Sequence, residues 1–201
     1  MEDNERTWGR LTLAAAVALA LGQGFLGLFT AALEDAGSWG DGVGHLLGLP
    51  IAGAIFVGIM ARELRPTRRR MVWWLVSTAI MSTVAYVGGY AFVGPPVDFA
   101  AAIAVTGMVL GAVEAGALRS RNAEGGTACA ASAVGGYLLG GVAGVAVAVV
   151  IAPHLPDGVL WYAVLTAILG VVAGAVGGAA NGIALGRYWW TPRIRVAAAT
   201  T

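Results

Sequence analysis

The sequence predicts an all-α fold: a polytopic membrane bundle of six transmembrane helices, with the N and C termini cytoplasmic. Three observations predict it. Hydrophobic residues make up 58% of the chain and charged residues 11%, where a soluble domain carries about 25% charged. The apolar residues come in blocks near the roughly 20 residues that a spanning helix needs, not at amphipathic spacing. All twelve basic residues are arginines, and they fall only in alternate connections of a six-helix weave.

The first span, 11–33, follows the polar stretch Met1–Arg10. It is too long for a signal-peptide core and no small-x-small cleavage site followed by a soluble domain appears, so it reads as a retained helix. It carries the most central polar residue of any span, Gln23, between Gly22 and Gly24. It also holds two runs of small residues at four-residue spacing, Ala14-Ala18-Gly22 and Ala16-Ala20-Gly24. The second span, 44–61, is the shortest and contains Pro50, which invites a kink. The third, 71–93, carries Ser77, Thr78, Ser82, Thr83 and Tyr86. The fourth, 97–118, carries Thr106 and the run Gly107-Gly111-Ala115. Glu114 is the one carboxylate in a span away from the outer ends, where Asp98 lies.

The last two spans are built on ladders. The fifth, 127–152, repeats Ala128, Ser132, Gly136, Gly140, Gly144 and Ala148. The sixth, 158–186, repeats Gly170, Gly174, Gly178, Gly182 and Gly186. Residues four apart share a helix face. In water each interior glycine costs about 0.5–1 kcal/mol relative to alanine. In lipid the same spacing lets a neighbouring backbone press close. The two ladders are expected to pack against each other, or each to receive a bulkier neighbour. Asn181 sits between Gly178 and Gly182, at a depth comparable with Glu114.

Orientation follows from the arginines. Arg6 and Arg10 precede the first span; Arg62, Arg65, Arg68, Arg69 and Arg70 separate the second from the third. Arg119 and Arg121 follow the fourth, and Arg187, Arg193 and Arg195 the sixth. By the positive-inside rule all lie in the cytoplasm, giving a multi-pass cell-membrane protein. Trp8, Trp73, Trp74, Tyr188, Trp189 and Trp190 mark the inner boundary; Trp39, Tyr90, Trp161 and Tyr162 mark the outer one. The whole chain, 1–201, reads as one six-helix domain. The segments Gly107–Val113 and Gly170–Val176 share a pattern, so spans 3–4 and 5–6 are candidate related hairpins, with 1–2 a diverged third.

Several function classes are excluded by residue type. With no lysine there is no Schiff base and no Walker-A motif. One cysteine, Cys129, forms no intrachain disulfide and no CxxC pair. Net charge of +1 does not suggest nucleic acid. No acid–base–nucleophile set can be assembled, so the chain is read as non-enzymatic. The outer face holds Glu34, Asp35, Asp41, His45, Asp98, His154 and Asp157. Carboxylate and imidazole suit a divalent metal, but acids at helix starts also serve the helix dipole. No cofactor and no metal site is assigned.

Intramembrane polar residues are the default functional candidates. Here they are Gln23, Glu114 and Asn181. Glu114 either pairs with Arg119 or Arg121 or forms a proton or cation site open to the cytoplasm. Gln23 either binds neighbouring helices together or lines a polar cavity. In size, helix number and cytoplasmic termini the chain resembles the substrate-binding membrane subunits of energy-coupling-factor transporters. That resemblance implies a partner met through small residues of the first helix, with Ala14, Ala16, Ala18 and Ala20 suitably placed. The sequence therefore reads first as a membrane transport or solute-binding component working with partners. The alternative is a structural or accessory subunit, or a homo-oligomeric scaffold, joined through the faces of Gly136, Gly140, Gly144, Gly170, Gly174, Gly178 and Gly182.

Overall fold

The computed structural model describes residues 2–34, 40–64, 68–92, 103–105, 107–110, 112 and 123–189. Five long helices account for most of them: α1 (Glu2–Glu34), α2 (Gly40–Leu64), α3 (Arg68–Phe92), α4 (Ala123–Ile151) and α5 (Val159–Trp189). A short 3-10 turn, Ala152–His154, follows α4. Residues 103–105 and 107–110 are also helical, and no strand occurs among the described residues. Most of the fourth expected span lies outside them, so its relation to the last hairpin does too.

Among the described residues, four helical stretches are long and apolar enough to cross a membrane: Trp8–Leu33, Val43–Glu63, Gly125–His154 and Val159–Arg187. α3 has 25 residues, a spanning length. α1 begins well before the apolar block and runs for 33 residues, about 50 Å at 1.5 Å per residue. α2 continues through Pro50 without interruption. The turn into α5 uses Gly158 at φ 132°, a backbone region that side chains disfavour. Its carbonyl then accepts the Tyr162 N–H at 3.1 Å, opening the helix.

Packing runs in the spatial order α3, α2, α1, α5, α4. The glycine ladder of α5 decides that order. Its rungs meet the backbone of α1: Gly170 faces Leu19, Gly174 faces Ala15 and Ala16, Gly178 faces Ala15 and Thr12, and Gly182 faces Trp8. The numbers rise on one helix as they fall on the other, so α1 and α5 are antiparallel. A methyl added at Gly178 would stand 2.7 Å from Ala15 Cβ and 3.0 Å from Thr12 Cα. At Gly144 it would meet the Leu169 carbonyl oxygen at 2.8 Å.

The two ladders do not face each other. The α4 ladder of Gly136, Gly140 and Gly144 lies on a different face of α5, against Gly177, Ala180, Ala173 and Leu169. α5 is small on both faces, so it accepts α1 on one side and α4 on the other. The alanine ladders of α1 are likewise covered within the chain. Gly22 meets Ala52 of α2, and Gly24 meets Ala167 of α5. Ala18 is fully buried.

An aromatic column closes the bundle opposite the ladders. Phe56 of α2 stands edge-on to Trp74 of α3 at 6.4 Å and to Tyr137 of α4 at 5.9 Å. Tyr137 also covers Gly177 and Gly107, joining α5 and the 103–110 segment. This corrects one expectation. Trp73 is 62% exposed as a boundary residue should be, whereas its neighbour Trp74 is fully buried. One residue turns the helix by about 100°, so the second indole points into the core.

The arginines Arg10, Arg62, Arg68, Arg69, Arg70 and Arg187 lie on helix ends that the antiparallel pairings gather at one end of the bundle. There Arg10 pairs with Glu63 at 2.9 Å, joining the start of α1 to the end of α2. The pair is largely exposed and contributes roughly 0–1 kcal/mol.

Gly178→Leu is expected to destabilise the protein by about 1–3 kcal/mol through overpacking. Val176→Leu, on an exposed position of the same helix, should stay within about 0.5 kcal/mol. Thermal unfolding in detergent measures both, and equal tolerance would refute the close α1–α5 contact.

Candidate functional site

Gln23, Thr30, His45, Thr78 and Ser82 are buried polar residues of α1, α2 and α3, while Thr166 and Asn181 are buried on α5. Gln23 points toward α2 and α3 because Gly22 and Gly24 flank it. Gly22 sits against Ala52 of α2, and Gly24 against α5. The side chain between them is 6% exposed. It borders a small cavity of about 20 Å³ lined by Leu19, Gly22, Leu49, Ala52, Gly53, Phe56 and Ser82. That volume admits one water-sized species; a water needs about 10–15 Å³ on this measure. It admits no organic solute.

The lining is polar on two sides. Gln23 comes from α1 and Ser82 from α3. Ser82 Oγ donates to the Thr78 carbonyl at 2.5 Å, a local bond common for hydroxyls in apolar helices. Thr83 and Thr166 bond back in the same way. Thr78 lies against Gly53, whose backbone borders the cavity. Among the described residues, Gln23 Oε1, Thr30 Oγ1, Trp74 Nε1 and Thr78 Oγ1 are buried without a hydrogen-bond partner. Leaving such a group unsatisfied costs about 1–3 kcal/mol.

A second polar group lies on the same seam, away from the arginine end. Thr30 of α1 packs on Gly44 of α2, and the adjacent His45 is buried. The sequence places His45 with the outer-face acids. It lies at that end of the bundle, near the start of α2, and is buried where glycines at 44 and 48 let α1 approach the helix. His154 is exposed in the turn after α4. Among the described residues no three His, Cys, Asp or Glu side chains come together as metal ligands.

The other candidates separate. Asn181 is 2% exposed on α5, between rungs that touch Thr12 and Trp8 of α1. It therefore lies on the α1–α5 contact and not on the cavity of Gln23. Glu114 lies outside the described residues, as does Thr106; Tyr86 lies on α3 but its side chain is not described. The question of a Glu114–Asn181 pair stays with them. Gly136, Gly140, Gly144, Gly170, Gly174, Gly178 and Gly182 are all packing positions inside the bundle.

Sequence reasoning missed Thr30, Trp74 and Tyr137 as interior polar groups. A lone threonine near a span end, or an aromatic beside a boundary tryptophan, gives no signal of its rotation about the helix axis. Comparison with protein families, with functionally described proteins and with solved structures finds no match to this chain.

Gln23→Leu is expected to leave the thermal midpoint unchanged or to raise it, since it removes a buried, unpartnered carbonyl. Gly22→Leu should lower stability by about 1–3 kcal/mol, because its Cβ would stand 3.0 Å from the Ala52 carbonyl oxygen. A loss for Gln23→Leu as large as that for Gly22→Leu would show that the amide is structural.

Proposed function

We propose that the protein is an integral membrane protein of the cell membrane and a small, non-enzymatic transport component. Its working element is the polar seam between α1, α2 and α3. The observation that supports this is the buried, unpartnered Gln23 amide oxygen beside a cavity of about 20 Å³. A polar residue near the middle of a spanning helix is costly and marks a pathway by default. The cavity size narrows the substrate class to a proton, water or a desolvated monovalent ion. In this reading the glycine-packed helices α1, α4 and α5 form the rigid body against which the seam works. Both termini face the cytoplasm, which follows from the arginines gathered at one end.

A second reading is favoured by the ladders themselves. They fill the α1–α5 and α4–α5 contacts with backbone against backbone, as a purely structural subunit would require. A flux measurement separates the two. Purified protein in liposomes should dissipate an imposed proton, sodium or potassium gradient faster than protein-free liposomes. Gln23→Leu should slow that flux at least about tenfold, the effect of roughly 1.4 kcal/mol on a barrier. No flux of any of these above the empty-vesicle rate would favour the structural subunit.

Topology is tested separately. Cys129 is fully buried, so it gives little background and Cys129→Ala removes it. A single cysteine at Ser38 should then label with a membrane-impermeant maleimide in intact cells. Labelling only after lysis would reverse the orientation.

A further inference from the structure

The strongest charge anomaly lies at the start of α3. Arg68, Arg69 and Arg70 occupy its first turn, all exposed, with no acidic residue in that turn. The helix dipole places partial positive charge at the same point, so three cations there repel it as well as each other. Arg62, in the last turn of α2, adds a fourth charge nearby. The adjacent carboxylate, Glu63, is engaged by Arg10. No ion pair of these four guanidinium groups is found among the side chains described.

An apolar stripe begins where they end. Val72, Trp73, Val76, Ile80, Val84 and Val87 are all exposed on α3. They follow Arg69 at intervals of three, four, seven, eleven, fifteen and eighteen residues, which is one helix face. Trp73 heads the stripe beside the arginines, the position of an interfacial anchor. The face thus presents cations at one end, an amphipathic ring next, and a hydrocarbon surface along the rest. No water-soluble anion matches that sequence of chemistries. A phospholipid with a net negative headgroup matches all three.

We infer that the start of α3 binds an anionic phospholipid, its headgroup phosphate held by Arg68, Arg69 and Arg70 and its acyl chains laid along the Trp73–Val87 stripe. Guanidinium is suited to phosphate through paired N–H donors. Arg62 raises the local potential from the α2 side. The inference rests on the membrane assignment alone and stands whether the seam conducts or not.

The test uses the full-length protein in detergent, with phosphatidylglycerol or phosphatidylcholine added, read by native mass spectrometry and thermal unfolding. Phosphatidylglycerol should be retained and should raise the midpoint more than phosphatidylcholine. Arg68→Gln, Arg69→Gln and Arg70→Gln together should weaken that preference on the order of a hundredfold, given the contribution of each basic residue at an anionic surface. Arg10→Gln, which removes a paired cation of the same rim, should retain it. If the triple variant is poorly folded, Arg69→Gln and Trp73→Ala are measured singly, and each should lower retention. Equal retention of the two lipids by the wild type would overturn the site. So would an unchanged preference in the variants. Inorganic phosphate reproducing the stabilisation without lipid would replace the lipid with a free anion and equally overturn it.

Discussion

The contact between α5 and α1 is the constraint on which the rest of the bundle depends. Lipid tails are as apolar as leucine, so helices in a membrane gain little from burying hydrophobic surface against each other. What they gain comes from close approach, through dispersion and weak Cα–H···O contacts. Gly170, Gly174 and Gly178 provide that approach by setting α5 directly on the α1 backbone. Once α1 is fixed there, α2 packs beside α5 on the buried side of α1, whose other side stays exposed at Leu13, Val17, Leu21 and Leu28. Gly22 on Ala52, Gly44 on Thr30 and Gly48 on Leu26 show how that second contact is made. Gln23 then has one direction left, toward α2 and α3. The polar cavity is a consequence of where the glycines are.

The helices were legible because hydropathy block length is a one-dimensional property. The partners of the ladders were not. A glycine signals that some backbone comes near, but it has no side chain to say which. α5 makes this acute, since Gly170–Gly182 and Ala173–Gly177 offer two small-residue faces with little to tell them apart. The same limit separates Trp73 from Trp74 and hid the burial of His45. Rotation about a helix axis is set by neighbours, and a boundary helix tolerates aromatic residues on every face. Gln23 was legible as the central polar group because a lone amide in an apolar span stands out by type. Ser77, Thr78, Ser82, Thr83, Tyr86 and Thr106 are the side chains of the spans suited by type to partner it, and of these Ser82 lines its cavity. The tie between Glu114 and Asn181 was a depth argument only. Asn181 lies beside the rungs that meet Thr12 and Trp8, toward the other end of α1 from Gln23, and Glu114 lies outside the described residues.

The bundle has two unlike halves. On the α4–α5–α1 side the contacts are small residue against backbone, with little volume left between them. On the α1–α2–α3 side the interface holds Gln23, Thr30, His45, Thr78 and Ser82, all buried. Close packing transmits displacement rigidly, so the first half can serve as a frame. The second half pairs larger side chains around a gap. Trp74, Phe56 and Tyr137 join the halves at the arginine-proximal side of that gap. The seam is thus closed below by an aromatic column and carries its other polar groups toward the opposite end.

Magnitudes decide whether such a seam is dry. Thr30 and Thr78 have a local remedy, since a threonine hydroxyl can rotate to the carbonyl four residues earlier. Gln23 Oε1 accepts only, so no carbonyl can satisfy it; it needs a donor, and its flanking glycines offer no side chain. Trp74 Nε1 donates only and is wedged against Phe56. At about 1–3 kcal/mol for each unsatisfied group, these two together would cost about 2–6 kcal/mol. Whole proteins are stable by only about 5–15 kcal/mol. A chain that needed Gln23 merely as filler would be better served by leucine or methionine at that position, which fit the same space without the penalty. Retaining an amide beside a gap of molecular-water size is therefore expected where a small polar species, a buried structural water included, completes its hydrogen bonds.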